Sequence, residues 1–230
     1  MSERDFPFQD RHHAGRVLAT RLGHYLGRPG LLVLALPRGG VAVGFEVAHA
    51  LHAPLDVFVV RKLGYPGHEE YAMGAIASGG VQVLNPDLAG HIAPQIVAAE
   101  VARERGELQR RERLYRGDLP APHLQGRTVV VVDDGLATGS TMRAAVQAIR
   151  QQQPARICVA VPVGAFETCE QLVAEADEVV CVEQPSPFRA VGLWYEDFPQ
   201  ASDTEVRTLL DTARQERATG RTPSARAITS

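Results

Sequence analysis

The chain has 230 residues, of which 24 are basic and 27 acidic, and a formal net charge of −3. This length suits one α/β domain with a real core, and the balanced charge gives no electrostatic reason to expect a nucleic acid or a membrane as a partner. No apolar run approaches the roughly 18 residues of a membrane span, and the polar N-terminal sequence shows no signal peptide. We therefore expect a cytoplasmic protein.

Apolar periodicity in the first half of the chain predicts three helices and four strands. The helices are expected at residues 10–26, 41–51 and 85–116, and the strands at residues 31–36, 55–60, 71–76 and 81–84. Asp10 has the short acceptor side chain of a helix N-cap. Ser78, Gly79 and Gly80 separate the last two strands and predict a hairpin turn.

In the second half of the chain, strands and helices alternate, which implies a mostly parallel sheet with right-handed crossovers. The strands are expected at residues 129–132, 156–161 and 178–182, and the helices at residues 142–150, 165–176 and 203–214. Ser202 is the expected cap of the last helix. Residues 186–198 are irregular and aromatic, and residues 215–230 have little to bury, so we expect a disordered tail there.

Residues 129–141, VVVVDDGLATGST, carry the most informative pattern. The β-branched run predicts a strand buried on both faces, which leads through Asp133 and Asp134 into a helix. The backbone N–H groups and hydroxyls of residues 138–141 can bind a phosphate there, because ligands bind at the carboxyl ends of parallel strands. Two carboxylates would repel a second phosphate but accept hydrogen bonds from sugar hydroxyls. The pattern therefore predicts a site for a phosphorylated ribose; the alternative is two acids that only cap the helix.

Two common phosphate motifs are absent from this stretch: it has no lysine for a Walker loop, and its glycines lack the spacing of the dinucleotide fingerprint. It resembles the phosphoribosyl-pyrophosphate signature of type I phosphoribosyltransferases, in which an apolar strand, two acids and small residues precede T-G-x-T. The resemblance implies an α/β fold with a doubly wound, mostly parallel sheet. It also implies one domain over residues 1–214, with a small hood at 186–198 and a lid insertion of hairpin and helix at 63–125.

By this resemblance Asp133 and Asp134 are catalytic: they bind the ribose hydroxyls and favour positive charge on the ring. Both also lie near Mg²⁺, as does Asp197. The residues that the resemblance assigns to the 5′-phosphate are Ala137, Thr138, Gly139, Ser140 and Thr141. The adenine and uracil enzymes of the family also carry alanine at the position of Ala137, whereas the 6-oxopurine enzymes carry aspartate.

Pro37, Arg38, Gly39 and Gly40 follow a predicted buried strand and precede a helix, so their backbone amides can face a ligand. They resemble the pyrophosphate loop of the family. The resemblance implies a cis peptide bond between Pro37 and Arg38, and pyrophosphate binding by Arg38, Gly39 and Gly40. The alternative is a glycine turn with one surface arginine.

Arg61 and Lys62 end the next predicted strand, and Lys62 is the only lysine of the chain. They resemble an Arg-Lys pair of several family members, which implies that both bind pyrophosphate and ribose oxygens and that Lys62 is catalytic. A structural ion pair is the alternative. Residues 64–70 lie where the family has its mobile catalytic loop, and His68 or Glu69 is a candidate for proton transfer there, unless the two are only solvated.

Residues 100–116 contain six arginines and four glutamates, many of them three or four positions apart. This spacing favours a solvated, salt-bridged helix face. A similar arginine-rich stretch precedes the signature in competence-associated phosphoribosyltransferase-like proteins. An anion-facing role for Arg113 or Arg116 is therefore the alternative.

The aromatic segment at residues 188–198 lies where hypoxanthine-guanine phosphoribosyltransferases carry their purine-recognition segment. It shares the order of Val-Gly, an aromatic residue and Asp-aromatic, with one extra residue. The resemblance implies that Val191, Trp194 and Tyr195 bind a base; core packing of the hood is the alternative. The hood favours an oxopurine and Ala137 favours other bases, so the acceptor base stays open.

The resemblance covers most of residues 31–198, and the motifs L-P-R-G-G-V, V-R-K-L-G and V-G-L-W-Y-x-D-F are most similar to a bacterial phosphoribosyltransferase-like group. It implies an enzyme of nucleotide salvage that transfers phosphoribose from phosphoribosyl pyrophosphate to a nitrogenous base with Mg²⁺. A homodimer is a further expectation, since dimers are common in the family. The alternative is a non-catalytic regulator of the same fold that binds phosphoribosyl pyrophosphate. Synthesis of that compound normally needs a duplicated domain, which the sequence lacks.

Overall fold

The structure of the protein is a computed structural model that describes residues 7–65, 68–85, 87 and 90–219, without the side chains of residues 68–71. The strands within this part are β1 (Leu31–Ala35), β2 (Leu55–Val57), β3 (Val60–Tyr65), β4 (His68–Ala77), β5 (Val81–Leu84), β6 (Thr128–Val132), β7 (Arg156–Val163) and β8 (Glu178–Glu183). The helices are α1 (Arg11–Arg21), α2 (Gly40–Leu51), α3 (Pro94–Arg116), α4 (Ser140–Gln151), α5 (Phe166–Val173) and α6 (Asp203–Ala218). Short 3₁₀ helices span Gly23–Tyr25 and Val191–Trp194.

Five parallel strands form the central sheet in the order β2-β1-β6-β7-β8, which confirms the predicted α/β fold. In the centre, Val130 of β6 pairs with Val33 of β1 on one side and with Cys158 of β7 on the other. Because these strands run in the same direction, the loops that follow β1 and β6 leave the same edge of the sheet side by side. This edge holds the candidate site.

Helices cover both faces of the central sheet, and every residue of β1 and β6 is buried. Successive residues of a strand alternate between the faces. Val33 packs with a core cluster that includes residues of α1, α2, α3 and α6, whereas Leu32 and Leu34 pack with a cluster that includes residues of α4 and α5. Burial on both faces explains the continuous apolar runs that predicted these strands.

β3, β4 and β5 form a second, antiparallel sheet, and the predicted hairpin is confirmed as β4 and β5. The single strand predicted at residues 55–60 is wrong, because β2 ends at Val57 and the chain then enters the second sheet. The N–H of Val59 donates to the hydroxyl of Ser78 at 3.0 Å, and the N–H of Ser78 donates back to the carbonyl oxygen of Val59 at 2.9 Å. These hydrogen bonds turn the chain away from the central sheet.

The catalytic loop predicted at residues 64–70 is mostly strand instead. β3 continues to Tyr65 and pairs there with His68, the first residue of β4, because antiparallel pairing satisfies the backbone groups of both strands. Residues 66 and 67 lie outside the described residues, as do the side chains of His68 and Glu69. Proton transfer by these two side chains therefore stays a prediction.

Two helix boundaries differ from the prediction. α3 begins at Pro94 rather than at residue 85, because proline has no N–H to donate and fits only the first turn of a helix. α6 extends to Ala218, and residues 220–230 of the predicted tail lie outside the described residues. Asp10 and Ser202 cap α1 and α6 as predicted. In the part of the chain that the structure describes, no helix is both long and apolar enough to cross a membrane.

Candidate active site

Asp133 and Asp134 follow β6 directly at the carboxyl edge of the central sheet, and both are partly buried. The backbone N–H of Asp134 donates to Oδ1 of Asp133 at 2.9 Å. Burial, and then the charge of Asp134, raise the pKa of Asp133 well above its ordinary value. Adjacent carboxylates are stabilised by hydrogen-bond donors or cations, and the two hydroxyls of a sugar can act as such donors.

The predicted pyrophosphate loop, which follows β1, touches these acids. The peptide bond between Pro37 and Arg38 is cis, as predicted. A Cβ atom added to Gly39 would lie 1.9 Å from Oδ2 of Asp134, so this close approach requires glycine. A Cβ atom on Gly40 would lie 2.9 Å from Cα of Asp133. The fold therefore brings the predicted pyrophosphate loop and the predicted ribose acids into direct contact.

Residues 137–141, predicted to bind the 5′-phosphate, form the turn that begins α4. Gly139 has a φ of +66°, a conformation that favours glycine. Oγ1 of Thr138 and Oγ of Ser140 lie 3.3 Å apart. The first N–H groups of a helix have no acceptor within the helix, and its dipole adds positive charge at the same end. This turn therefore has the donors and the charge to hold an anion.

Thr168 of α5 supports the turn and was not among the predicted site residues. Its hydroxyl donates to the carbonyl oxygen of Ala137 at 2.7 Å. Its methyl carbon would lie 2.4 Å from a Cβ atom on Gly139, so it packs directly against that glycine. No local pattern points to Thr168, because it lies 31 positions after Ala137 and belongs to another helix.

Arg11, the first residue of α1, is a second residue of the site that was not predicted from the sequence. Its Nε donates to Oδ2 of Asp134 at 2.8 Å, and its side chain is only 11% exposed. The two residues are 123 positions apart, and the pattern around Arg11 indicates only a helix that begins after Asp10. No feature of the sequence alone pairs this arginine with the acids.

The predicted base-binding residues lie in the hood, above the acids. Val191 lies over Gly135, where an added Cβ would be 2.5 Å from its Cγ1. Tyr195 is 6% exposed, and its hydroxyl donates to the carbonyl oxygen of Asp134 at 2.6 Å. Trp194 packs against a hood cluster that contains Phe8 and Tyr195. Trp194 and Tyr195 thus pack in the core of the hood, which was the alternative to base binding. Contact of Val191, Trp194 and Tyr195 with a base stays a prediction.

The acids fit the way proteins hold Mg²⁺. Among the described residues, no group of three or more histidine, cysteine, aspartate or glutamate side chains is arranged to hold a metal ion. Mg²⁺ is usually bound by one or two carboxylates together with substrate phosphates, and Asp133 and Asp134 supply such oxygen donors. Asp197 is exposed in the hood, where its N–H donates to the carbonyl oxygen of Gln9 at 2.9 Å. Its predicted contact with the metal stays a prediction.

Arg61 and Lys62 face different surroundings. Nε of Arg61 lies 2.6 Å from Oε2 of Glu104, whose side chain is 3% exposed, so Arg61 makes the structural ion pair kept as its alternative. The side chain of Lys62 is exposed and makes no ion pair with the side chains that the structure describes. It lines a cavity of about 420 Å³ together with Ser140 and Arg143. The fold therefore brings Lys62 near the start of α4, where phosphate binding is predicted, whereas Arg61 pairs with Glu104.

Two arginines of α3 lie near the predicted pyrophosphate loop. Arg38 is half-buried and lines a polar cavity of about 300 Å³ together with Arg110, Arg111 and Asp203. Arg110 and Arg111 both pair with Glu107, at 2.8 Å each, so the predicted salt-bridged face is present. The pair that borders this loop is thus Arg110 and Arg111 rather than either arginine proposed from the sequence.

The anion-facing role suggested for Arg116 is wrong. Its side chain is 3% exposed and pairs with Asp56 at 2.8 Å and with Glu112 at 3.0 Å. A buried guanidinium needs such carboxylates, because an uncompensated charge in the interior is costly. Arg113 is exposed, and its role stays a prediction.

Comparison with known proteins shows the family to which this chain belongs. The family model described as Phosphoribosyl transferase domain matches residues 12–196. Proteins of Mycobacterium tuberculosis strains CDC 1551 and H37Rv, each named "Putative phosphoribosyl transferase", are 48% identical over 212 residues, which are 91% of this chain and 47% of theirs. The chain thus spans about half the length of these curated relatives. The crystal structure of TT1426 from Thermus thermophilus is similar over 88% of this chain and 97% of its own, with 45% identity and a TM-score of 0.80. The chain belongs to the phosphoribosyl transferase domain family.

Proposed function

We propose that the protein is an enzyme that transfers phosphoribose from phosphoribosyl pyrophosphate to a nitrogenous base and releases pyrophosphate, with Mg²⁺ as cofactor. One observation carries the proposal: the acid pair touches the Gly39 loop on one side and leads into the phosphate-binding turn on the other. A phosphate site, a pair of ribose acceptors and a pyrophosphate loop thus adjoin one another. The corresponding physiological role is nucleotide salvage in the cytoplasm.

Three anchors hold the sugar in the proposed reaction. The turn at residues 137–141 binds the 5′-phosphate through backbone N–H groups and hydroxyls. The ribose hydroxyls donate to the carboxylates of Asp133 and Asp134, and the loop at Gly39 offers backbone N–H groups to the pyrophosphate. Holding the reacting carbon in one orientation lowers the entropic cost of reaching the transition state.

The acid pair also stabilises the charge that develops during the reaction. As the bond between C1 and pyrophosphate breaks, the ribose ring gains positive charge. Asp133 and Asp134 are already in place beside the ring, so no reorganisation is needed when this charge appears. Mg²⁺, when bound with the sugar pyrophosphate, neutralises charge on the leaving group. Lys62 adds positive charge from the cavity that it shares with Ser140.

A screen for pyrophosphate release tests the proposal. The protein is incubated with phosphoribosyl pyrophosphate, Mg²⁺ and a panel of purine and pyrimidine bases, and pyrophosphate is measured with a coupled assay. We expect at least one base to give release above the reaction without base. Tight binding of phosphoribosyl pyrophosphate with no release across the panel would favour the non-catalytic regulator. Absence of binding would contradict both functions.

Replacing Gly39 tests the contact between the loop and the acids without removing a charge. In Gly39→Ala, the new methyl group would displace the carboxylate of Asp134, since its ideal position lies 1.9 Å from Oδ2. We expect the affinity for phosphoribosyl pyrophosphate to fall about 100-fold, as a displacement of about 1 Å in a site can cause such a loss. Calorimetric titration measures this change. Gly23→Ala is the matched control, because a Cβ atom at Gly23 meets nothing within 4 Å; equal affinities of the two variants would refute the assignment.

A further inference from the structure

The guanidinium of Arg11 is held at three points from different parts of the chain. Nε donates to Oδ2 of Asp134 at 2.8 Å, and Nη1 donates to the carbonyl oxygen of Pro199 at 2.7 Å. Cζ lies 3.8 Å from the centre of the Phe198 ring, a distance typical of a cation–π contact. The planar fork of arginine suits such simultaneous contacts, which leave the group little freedom to move.

Asp134 is also held through its main chain, from the hood. The hydroxyl of Tyr195 donates to the carbonyl oxygen of Asp134 at 2.6 Å. Burial raises the pKa of Tyr195, so this hydroxyl remains a donor at neutral pH. The ring of Tyr195 packs against that of Phe198 with a centroid distance of 4.7 Å and an angle of 33° between the planes, and Phe198 also contacts the guanidinium of Arg11. One connected group of side chains therefore fixes the position of the Asp134 backbone and the orientation of its carboxylate.

The segment before α1 is bound to the hood through its backbone. The N–H of Phe8 donates to the carbonyl oxygen of Trp194 at 3.0 Å, and the N–H of Glu196 donates to that of Phe8 at 2.8 Å. A further bond of 2.9 Å joins the N–H of Asp197 to the carbonyl oxygen of Gln9. Arg11 therefore follows, two residues after Gln9, a segment that these hydrogen bonds join to the hood.

We propose that Arg11 is a positioning residue, which orients the Asp134 carboxylate for the ribose hydroxyls and couples the hood to the ribose site. This inference rests on the proposed function. With Oδ2 of Asp134 engaged by Arg11, the ribose meets the other carboxylate oxygen. The charge of Arg11 also balances one of two adjacent carboxylates, which lowers their repulsion of the phosphates carried by the sugar.

Two sugar phosphates distinguish positioning from general structural support. Ribose 5-phosphate offers both hydroxyls to the acids, and 2,3-dideoxyribose 5-phosphate offers neither, whereas both occupy the phosphate-binding turn. We expect the wild-type protein to prefer ribose 5-phosphate by about 100-fold, since a hydrogen bond to a charged acceptor contributes about 10-fold or more. In Arg11→Met we expect this preference to shrink to about 5-fold. Loss of the arginine charge weakens both compounds through their common phosphate, so the ratio of the two affinities is the readout.

Conservative and control variants complete the calorimetric test. Arg11→Lys keeps the charge but loses the fork, so we expect it to restore part of the preference, to about 20-fold. Arg16→Met is the control on the same helix, because Arg16 is 56% exposed and lies 3.6 Å from Glu46. It should keep the wild-type preference. If Arg11→Met does not fold, Phe198→Leu removes the ring beneath the guanidinium, leaves the charge in place and is expected to reduce the preference in the same direction.

The outcomes separate this inference from the proposed function. A wild-type protein without preference for ribose 5-phosphate would overturn the ribose assignment, and with it the proposed function. If Arg11→Met keeps the full wild-type preference, the inference about Arg11 alone is overturned. Where Arg11→Met does not fold, a full preference in Phe198→Leu has the same consequence. A lower melting temperature of Arg11→Met with an unchanged preference would likewise show a purely structural role.

Discussion

The double variant Asp133→Asn/Asp134→Asn is expected to bind phosphoribosyl pyrophosphate at least about 100-fold more weakly than the wild-type protein, because it removes two charged acceptors of hydrogen bonds from the ribose. Asparagine has nearly the same shape as aspartate, so the loops keep their packing. Burial and the charge of Asp134 raise the pKa of Asp133, so ionising Asp133 costs more in the folded protein than in the unfolded chain. A neutral residue there therefore does not add a cost to folding.

Calorimetry with Mg²⁺ and phosphoribosyl pyrophosphate measures the loss, and thermal unfolding followed by circular dichroism checks the fold. Asp211→Asn is the matched control, since the side chain of Asp211 is 57% exposed on α6, remote in sequence from the acids. We expect this control to bind like the wild-type protein. Unchanged affinity in the double variant would show that the acids do not hold the ribose, and the proposed function would lose its main support.

Arg116→Met is expected to give the largest loss of stability, about 3 kcal/mol in the free energy of unfolding. The buried guanidinium pairs with Asp56 and Glu112 and also donates to the carbonyl oxygen of Val57. Methionine fills part of the space but leaves the partly buried carboxylate of Asp56 without its cation. For a protein of this size, such a loss corresponds to a decrease of about 10 °C in melting temperature.

Denaturant and thermal unfolding measure this effect, with Arg113→Met as the control. Arg113 is exposed on the same helix, so its replacement should change stability by less than about 0.5 kcal/mol. Equal stabilities of the two variants would mean that the buried ion pairs contribute nothing. A selective loss of phosphoribosyl pyrophosphate binding in folded Arg116→Met would instead restore the anion-facing role that the structure argues against.

The central architecture could be predicted because the strands and helices that form it depend on residues only a few positions apart. The apolar run of β6 required burial on both faces, and the sheet confirms it. The cis bond before Arg38 was predicted from the resemblance of four residues to the pyrophosphate loop of the family, and the cap at Ser202 from one side chain. The strand predicted through Val60 failed, because apolar residues continue past Val57 whereas the hydrogen bonds to Ser78 redirect the chain.

The sequence by itself determined the fold class, the family and the order of acids and small residues at the end of β6, because each follows from periodicity or from a contiguous motif. Only the tertiary structure decided which charged residues of different elements meet. Arg11 reaches Asp134 across 123 positions, Arg61 reaches Glu104 across 43, and Arg116 reaches Asp56 across 60. Such pairings depend on how helices pack around the sheet, and an arginine shows no local sign of which carboxylate the fold will bring to it.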